Sequence, residues 1–212
     1  MTANETDSKG IPIKGPYGDG ISVALMYTMM NVVFSSVFGT LSYYLIVKGN
    51  EAAVPKLSLL AEYDLGYIYL AAIILNISQL AMGINVGNAR KHCKVHNPDQ
   101  HIYQVKGAEG SKLGYVLMDN EGVNGKFNRA QRAAANFNES YAQNIFYILL
   151  AGFVYPKEVM IISSVMGVGR VVMALGYTGT LNGRLGGFMI SKFAAHSLEC
   201  LVGITAYKVL NM

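Results

Sequence analysis

Residues 21–47 contain no charged side chain. The stretch is too long for the apolar core of a signal peptide, and it exceeds the roughly 20 helical residues that a bilayer's hydrocarbon core requires. Four further stretches have the same reach. They cover about residues 65–88, a segment that begins as a polar helix at 125 and runs to 155, then 159–177 and 187–210. Pro156 separates the third from the fourth, which makes them antiparallel neighbours. The expectation is an all-α, multi-pass integral membrane protein with five spans. Composition agrees, with 52% hydrophobic and 14% charged residues, against about 25% charged in soluble domains. Tryptophan is absent, so tyrosine is the expected interfacial aromatic. A net charge of +4 gives no reason to expect nucleic acid as a partner. Cys93 and Cys200 are far apart and suggest no disulfide framework.

Orientation follows from the distribution of Lys and Arg around the spans. With five spans, Lys9, Lys14, Arg90, Lys91, Lys94, Lys106, Lys112, Lys126, Arg129, Arg132, Arg184 and Lys192 fall on one side. Lys48, Lys56, Lys157 and Lys208 fall on the other. The asymmetry places the N-terminus and the long polar loop in the cytosol or its organellar equivalent. Residues 104–122 of that loop suit a small hairpin.

The third stretch carries the chemistry. Arg129, Arg132, Asn136, Glu139 and Gln143 are spaced 3, 4, 3 and 4, so they share one helical face. Ala130, Ala133, Ala134 and Phe137 occupy the other, where small residues permit close helix contact. An ionisable stripe facing lipid costs several kcal/mol, on the order of 3 per charge, so it must face protein or water. Two readings stay open at this point. The stripe is a satisfied network that joins helices, or it lines a pocket for a polar, anionic ligand. Arg170 inside the fourth stretch, Tyr177 two turns on, Arg184 in the next loop and Arg90 at the end of the second favour the pocket, because guanidinium forks bind carboxylates and phosphates.

Three segments then carry a resemblance: "INVGNARKHCKV", "FNRAQRAAANFNESY" and "GRVVMALGYTG". The chain resembles the membrane-associated proteins in eicosanoid and glutathione metabolism (MAPEG), most closely their microsomal glutathione transferase branch of the third type. The central segment fits the pattern F-N-x-x-Q-R-A-x-x-N-x-x-E-x-Y at every fixed position. The resemblance implies a four-helix bundle over residues 63–212 with a long loop at 91–126. It is preceded by a polar tail at 1–20 and by an extra N-terminal span and linker at 21–62. It implies a homotrimer with glutathione sites between subunits, in the endoplasmic reticulum or in a mitochondrial or plastid membrane. Glutathione would be a substrate, and no metal would be required. By the same resemblance Arg90, Arg132, Asn136, Glu139, Arg170 and Tyr177 would bind glutathione. Arg184 would stabilise its thiolate, because a guanidinium beside sulfur favours the nucleophilic form. The second substrate would be a lipophilic electrophile or lipid hydroperoxide arriving from the surrounding lipids. The alternative is a non-catalytic subunit that kept this bundle within a larger membrane complex.

The sequence departs from the family pattern in four places. Residues 21–47 have no counterpart. Met173 replaces a Tyr, Ala142 replaces a Pro, and the loop at 97–126 is longer. Other signals are set aside. His92, Cys93, His96 and His101 have no common zinc spacing. The glycines around Arg170 follow no strand, so no dinucleotide fold is implied. His196 and Cys200 suit a core or lipid-facing pair better than a redox site.

Overall fold

The computed structural model describes residues 13–18, 20–97, 99–105 and 116–212. The expected basic residues Lys9, Lys106 and Lys112, and most of the polar tail, lie outside the described residues. Six α-helices and one short hairpin follow in order: α1 (Val23–Ser42), α2 (Val54–Glu62), α3 (Gly66–Cys93), β1 (Tyr103–Val105), β2 (Val116–Met118), α4 (Gly122–Gly152), α5 (Pro156–Gly179) and α6 (Leu185–Leu210). Among the described residues three helical segments are long and apolar enough to cross a membrane: Val23–Val47, Gly66–Cys93 and Pro156–Gly179. Of the other two expected spans, α4 is as long but more polar, and the 26 residues of α6 carry Lys192, Glu199 and Lys208. With 31 residues, α4 reaches about 46 Å. That exceeds a hydrocarbon core of about 30 Å, so its charged N-terminal turns have room outside it.

The bundle is α3 to α6. Its core is layered from end to end. Leu65, just before α3, and Ile68, Ala71 and Leu75 of α3 meet Ile148 and Ala151 of α4, Val159 and Met166 of α5, and Ala194 and Leu198 of α6. Met82, Ala133, Phe137, Met173 and Ala174 form the middle layer. Ala89, Cys93, Val95, Phe127 and Ala130 close the far end. The small face read from the α4 sequence, with Ala130, Ala133 and Phe137, is thus the face that enters the core. Ala142 stands inside one unbroken helix, as a residue other than proline allows.

Helix α1 lies outside this bundle. Ser22 caps it, its hydroxyl accepting from the Leu25 amide at 3.4 Å. Val23 is its one buried residue and sits against Gly87 of α3, with Tyr27 close to Gly83 and Gly87. The helix widens into a π-helical turn at Tyr43–Val47. The linker that follows is helical, a 3-10 turn at Glu51–Ala53 leading to α2, with Pro55 in its first turn and no residue buried. The loop between α3 and α4 is shorter than the sequence suggests, since α3 runs to Cys93 and α4 starts at Gly122. Its two strands pair antiparallel, Tyr103 with Met118 and Val105 with Val116.

Helix packing also sorts the charges. Lys14 and His96 meet at 2.9 Å through the Lys14 carbonyl. Cys93 Sγ donates to Val123 O at 2.7 Å, joining the end of α3 to the start of α4. Lys157 pairs with Asp64 at 2.9 Å at the opposite end. Lys14 and Lys157, expected on opposite sides, thus sit at opposite ends of α3.

Candidate functional site

Where α4, α5 and the start of α6 meet there is a cavity of about 340 Å³, lined by Arg132, Asn136, Met173, Tyr177, Arg184, Leu185 and Phe188. That size falls in the range of about 300–1,000 Å³ typical of small-molecule sites. One wall is polar and one is apolar, so a ligand with a charged part and a part tolerant of Met, Leu and Phe would fit.

Backbone proximity builds this corner. A Cβ on Gly176 would collide with Gly183 O, and one on Gly187 would collide with Met173 N and Gly169 O. These glycines let α6 begin directly against the last turns of α5. Arg184 lies between Gly183 and Gly187 and is thereby brought over the Tyr177 ring, 5.5 Å from its centroid. Its planar cation suits that aromatic face.

Arg170 lies behind the cavity wall, 1% exposed. Its Nη1 donates to Asn136 Oδ1 at 2.7 Å, and its Nη2 donates to Ser140 Oγ at 2.8 Å. Nε is buried without a hydrogen-bond partner. Among the described residues no carboxylate pairs with this guanidinium. A buried cation balanced only by neutral oxygens retains most of its desolvation cost, several kcal/mol for a single ion, on the order of 3. Glu139 is engaged at the rim with Arg132 at 3.2 Å, and both side chains are more than half exposed.

Of the residues predicted from sequence, the structure brings Arg132, Asn136, Tyr177 and Arg184 to one cavity. Glu139 reaches it through Arg132, and Arg170 through Asn136. Arg90 stands apart: its Nη1 donates to His96 O at 3.1 Å, and its guanidinium lies 5.1 Å from the centre of the Phe127 ring. It leaves α3 on the side that packs against the first turns of α4. The polar stripe of α4 also divides. Arg132, Asn136 and Glu139 serve the cavity, and Gln143 bonds locally to Tyr147 at 3.1 Å. Arg129 instead turns into the bundle, 7% exposed.

Sequence reading missed Ser140, Leu185 and Phe188. Ser140 follows Asn136 by one helical turn, a spacing that places it on the same face. Leu185 and Phe188 carry no such signal, because their role depends on how α6 sits on α5. His196 pairs with Glu199 at 3.0 Å on the exposed face of α6, with Cys200 beside them.

Residues 68–202 match the family model described as the MAPEG family. The match spans most of the chain and the whole cavity, and the chain belongs to this family. Membership together with the three apolar helices marks it as a membrane protein. The family includes glutathione transferases and peroxidases as well as non-catalytic members.

Proposed function

We propose that this protein is a membrane-bound glutathione transferase or peroxidase, most like the third microsomal type, with an added N-terminal span. The observation that carries the reading is the charge of the cavity. Arg132 and Arg184 line it, and buried Arg170 stands behind it with no carboxylate partner among the described residues. An anionic ligand completes that balance. Glutathione has carboxylates for Arg132 and for the field of Arg170, an ammonium for Glu139 and amides for Asn136.

Arg184 lies over the Tyr177 ring, and in this reading the thiol lies beside that pair. A guanidinium there favours the thiolate, which is the reacting species. In transfer, the sulfur forms a bond to an electrophilic carbon as the leaving group departs with its electron pair. In peroxide reduction, the thiolate attacks a peroxide oxygen and releases the alcohol. A second glutathione then reduces the oxidised sulfur, giving glutathione disulfide and water. Met173, Leu185 and Phe188 form the apolar wall for the lipophilic partner. The reading includes five spans, with α4 and α6 crossing the membrane of the endoplasmic reticulum or an organelle. It also includes a trimer in which Arg90 serves the site of an adjacent copy.

A second reading is a non-catalytic subunit of a larger membrane assembly. It draws support from α1, whose surface from Thr28 onward this chain leaves exposed, and from Met173 in the cavity wall. Detergent-purified protein assayed with glutathione and a chromogenic electrophile separates the two. The enzyme reading expects turnover and a rise in melting temperature at millimolar glutathione. Absence of both rejects it in favour of the subunit.

A further inference from the structure

Arg129 is a buried arginine that lines no part of the cavity. It leaves α4 at the edge of the polar stripe and crosses to the C-terminal turn of α5. Its Nε donates to Tyr177 O at 2.9 Å, and its Nη2 donates to Thr178 O at 3.1 Å and to Gly179 O at 3.4 Å. Nη1 donates to Asn120 O at 2.6 Å, in the segment that leads into α4. One guanidinium thus caps the last carbonyls of α5, which have no partners within the helix, and its charge faces the negative end of the helix dipole. Asn85 of α3 adds a second hold, donating to Thr178 Oγ1 at 2.8 Å. The turn held in this way carries Tyr177, whose ring lies beneath Arg184, and leads directly to residues 180–184.

We propose that Arg129 is the positioning residue of the cavity. By clamping the end of α5, it fixes where Tyr177 presents its ring and where Arg184 places its charge. The assignment rests on the proposed thiolate role of Arg184, but the clamp itself is a statement about structure. Arg129 stands at an open position of the motif quoted above, so the clamp is a property of this chain. A fork is required, because three carbonyls in succession need donors in a fixed plane. A lysine ammonium carries the charge on a flexible stem without that geometry.

The test uses the full chain with Arg129→Gln and Arg129→Lys, read by hydrogen exchange and by glutathione kinetics. In Arg129→Gln, amides 180–185 should exchange at least about ten-fold faster, since a local hold is lost. The kcat should fall about ten- to a hundred-fold, the scale of a misplaced catalytic group. KM for glutathione should change little, because Arg132 and Asn136 lie on α4 and not on the end of α5 that the clamp holds, and the pH midpoint of bound thiolate should rise. Arg129→Lys should recover part of each effect. Unchanged exchange at 180–185 in Arg129→Gln overturns the clamp, whatever the protein binds. Full recovery in Arg129→Lys also overturns it, by showing that charge alone suffices. Faster exchange in a protein whose wild type shows no turnover leaves the clamp standing and removes the glutathione reading. If Arg129→Gln does not fold, Arg129→Lys decides alone: faster exchange with lower kcat supports the clamp, and wild-type values reject it.

Discussion

Replacing Arg170 with methionine should leave the empty protein as stable as the wild type or more so, while weakening its hold on an anionic ligand. The guanidinium is buried with two neutral acceptors and one unpartnered donor. Removing it takes a donor from Asn136 Oδ1 and from Ser140 Oγ, which keeps its own bond to Phe137 O, a loss of about 1–3 kcal/mol. Asn136 faces the cavity and can recover solvent there. Against this, the charge no longer has to be held out of water, a relief of several kcal/mol, on the order of 3. The net effect is near zero or stabilising. Ligand binding moves the other way. A unit charge acting across one intervening side chain contributes on the order of 2 kcal/mol at an effective dielectric of about 20. The affinity for glutathione should therefore drop about thirty-fold, at 1.4 kcal/mol per factor of ten. Thermal unfolding in detergent, with and without glutathione, reads both quantities. A variant that melts far below wild type and keeps its full ligand shift would show Arg170 to be a structural strut, and the charge argument would fail.

Gly187→Ala should push the start of α6 away from α5, because the new methyl meets Met173 N and Gly169 O. Overpacking of this kind costs about 1–3 kcal/mol, read as a lower melting temperature, and kcat should fall as Arg184 moves. Asn128→Ala should release the base of the hairpin. That side chain accepts from Ile102 N at 2.9 Å and donates to Ile102 O and Asp119 O, both at 2.7 Å. The expected loss is on the order of 3 kcal/mol, with faster amide exchange at Ile102. Met173→Tyr adds a hydroxyl to the cavity wall and should tighten glutathione binding by up to about ten-fold, the value of one net hydrogen bond, measured by titration.

The helices were readable because a membrane helix must satisfy its backbone internally and shows as a long apolar run. The hairpin was readable from its flanks. The site was readable in its residues but not in its arrangement. Residues three apart in a helix differ by about 60° in direction. That difference separates Arg129, which enters the core, from Arg132, which faces the cavity, and spacing alone put them on one stripe. Arg90 was grouped with the other arginines by its end of the bundle, and only the packing of α3 on Phe127 turned it away. The close contact of α5 with α6 depends on glycines from two helices meeting each other, and no single segment announces such a pair.

The account rests on Arg184 facing a thiol in a cationic cavity. Its most direct test is a pH titration of the thiolate absorbance of glutathione bound to the wild type and to Arg184→Ala. A free thiol of this kind titrates near about 8.5. A neighbouring cation stabilises the anion, so the bound midpoint should lie at least about one unit lower in the wild type. It should return toward the free value in the variant. A wild-type midpoint at or above that of free glutathione, or one that Arg184→Ala leaves unmoved, would contradict the account.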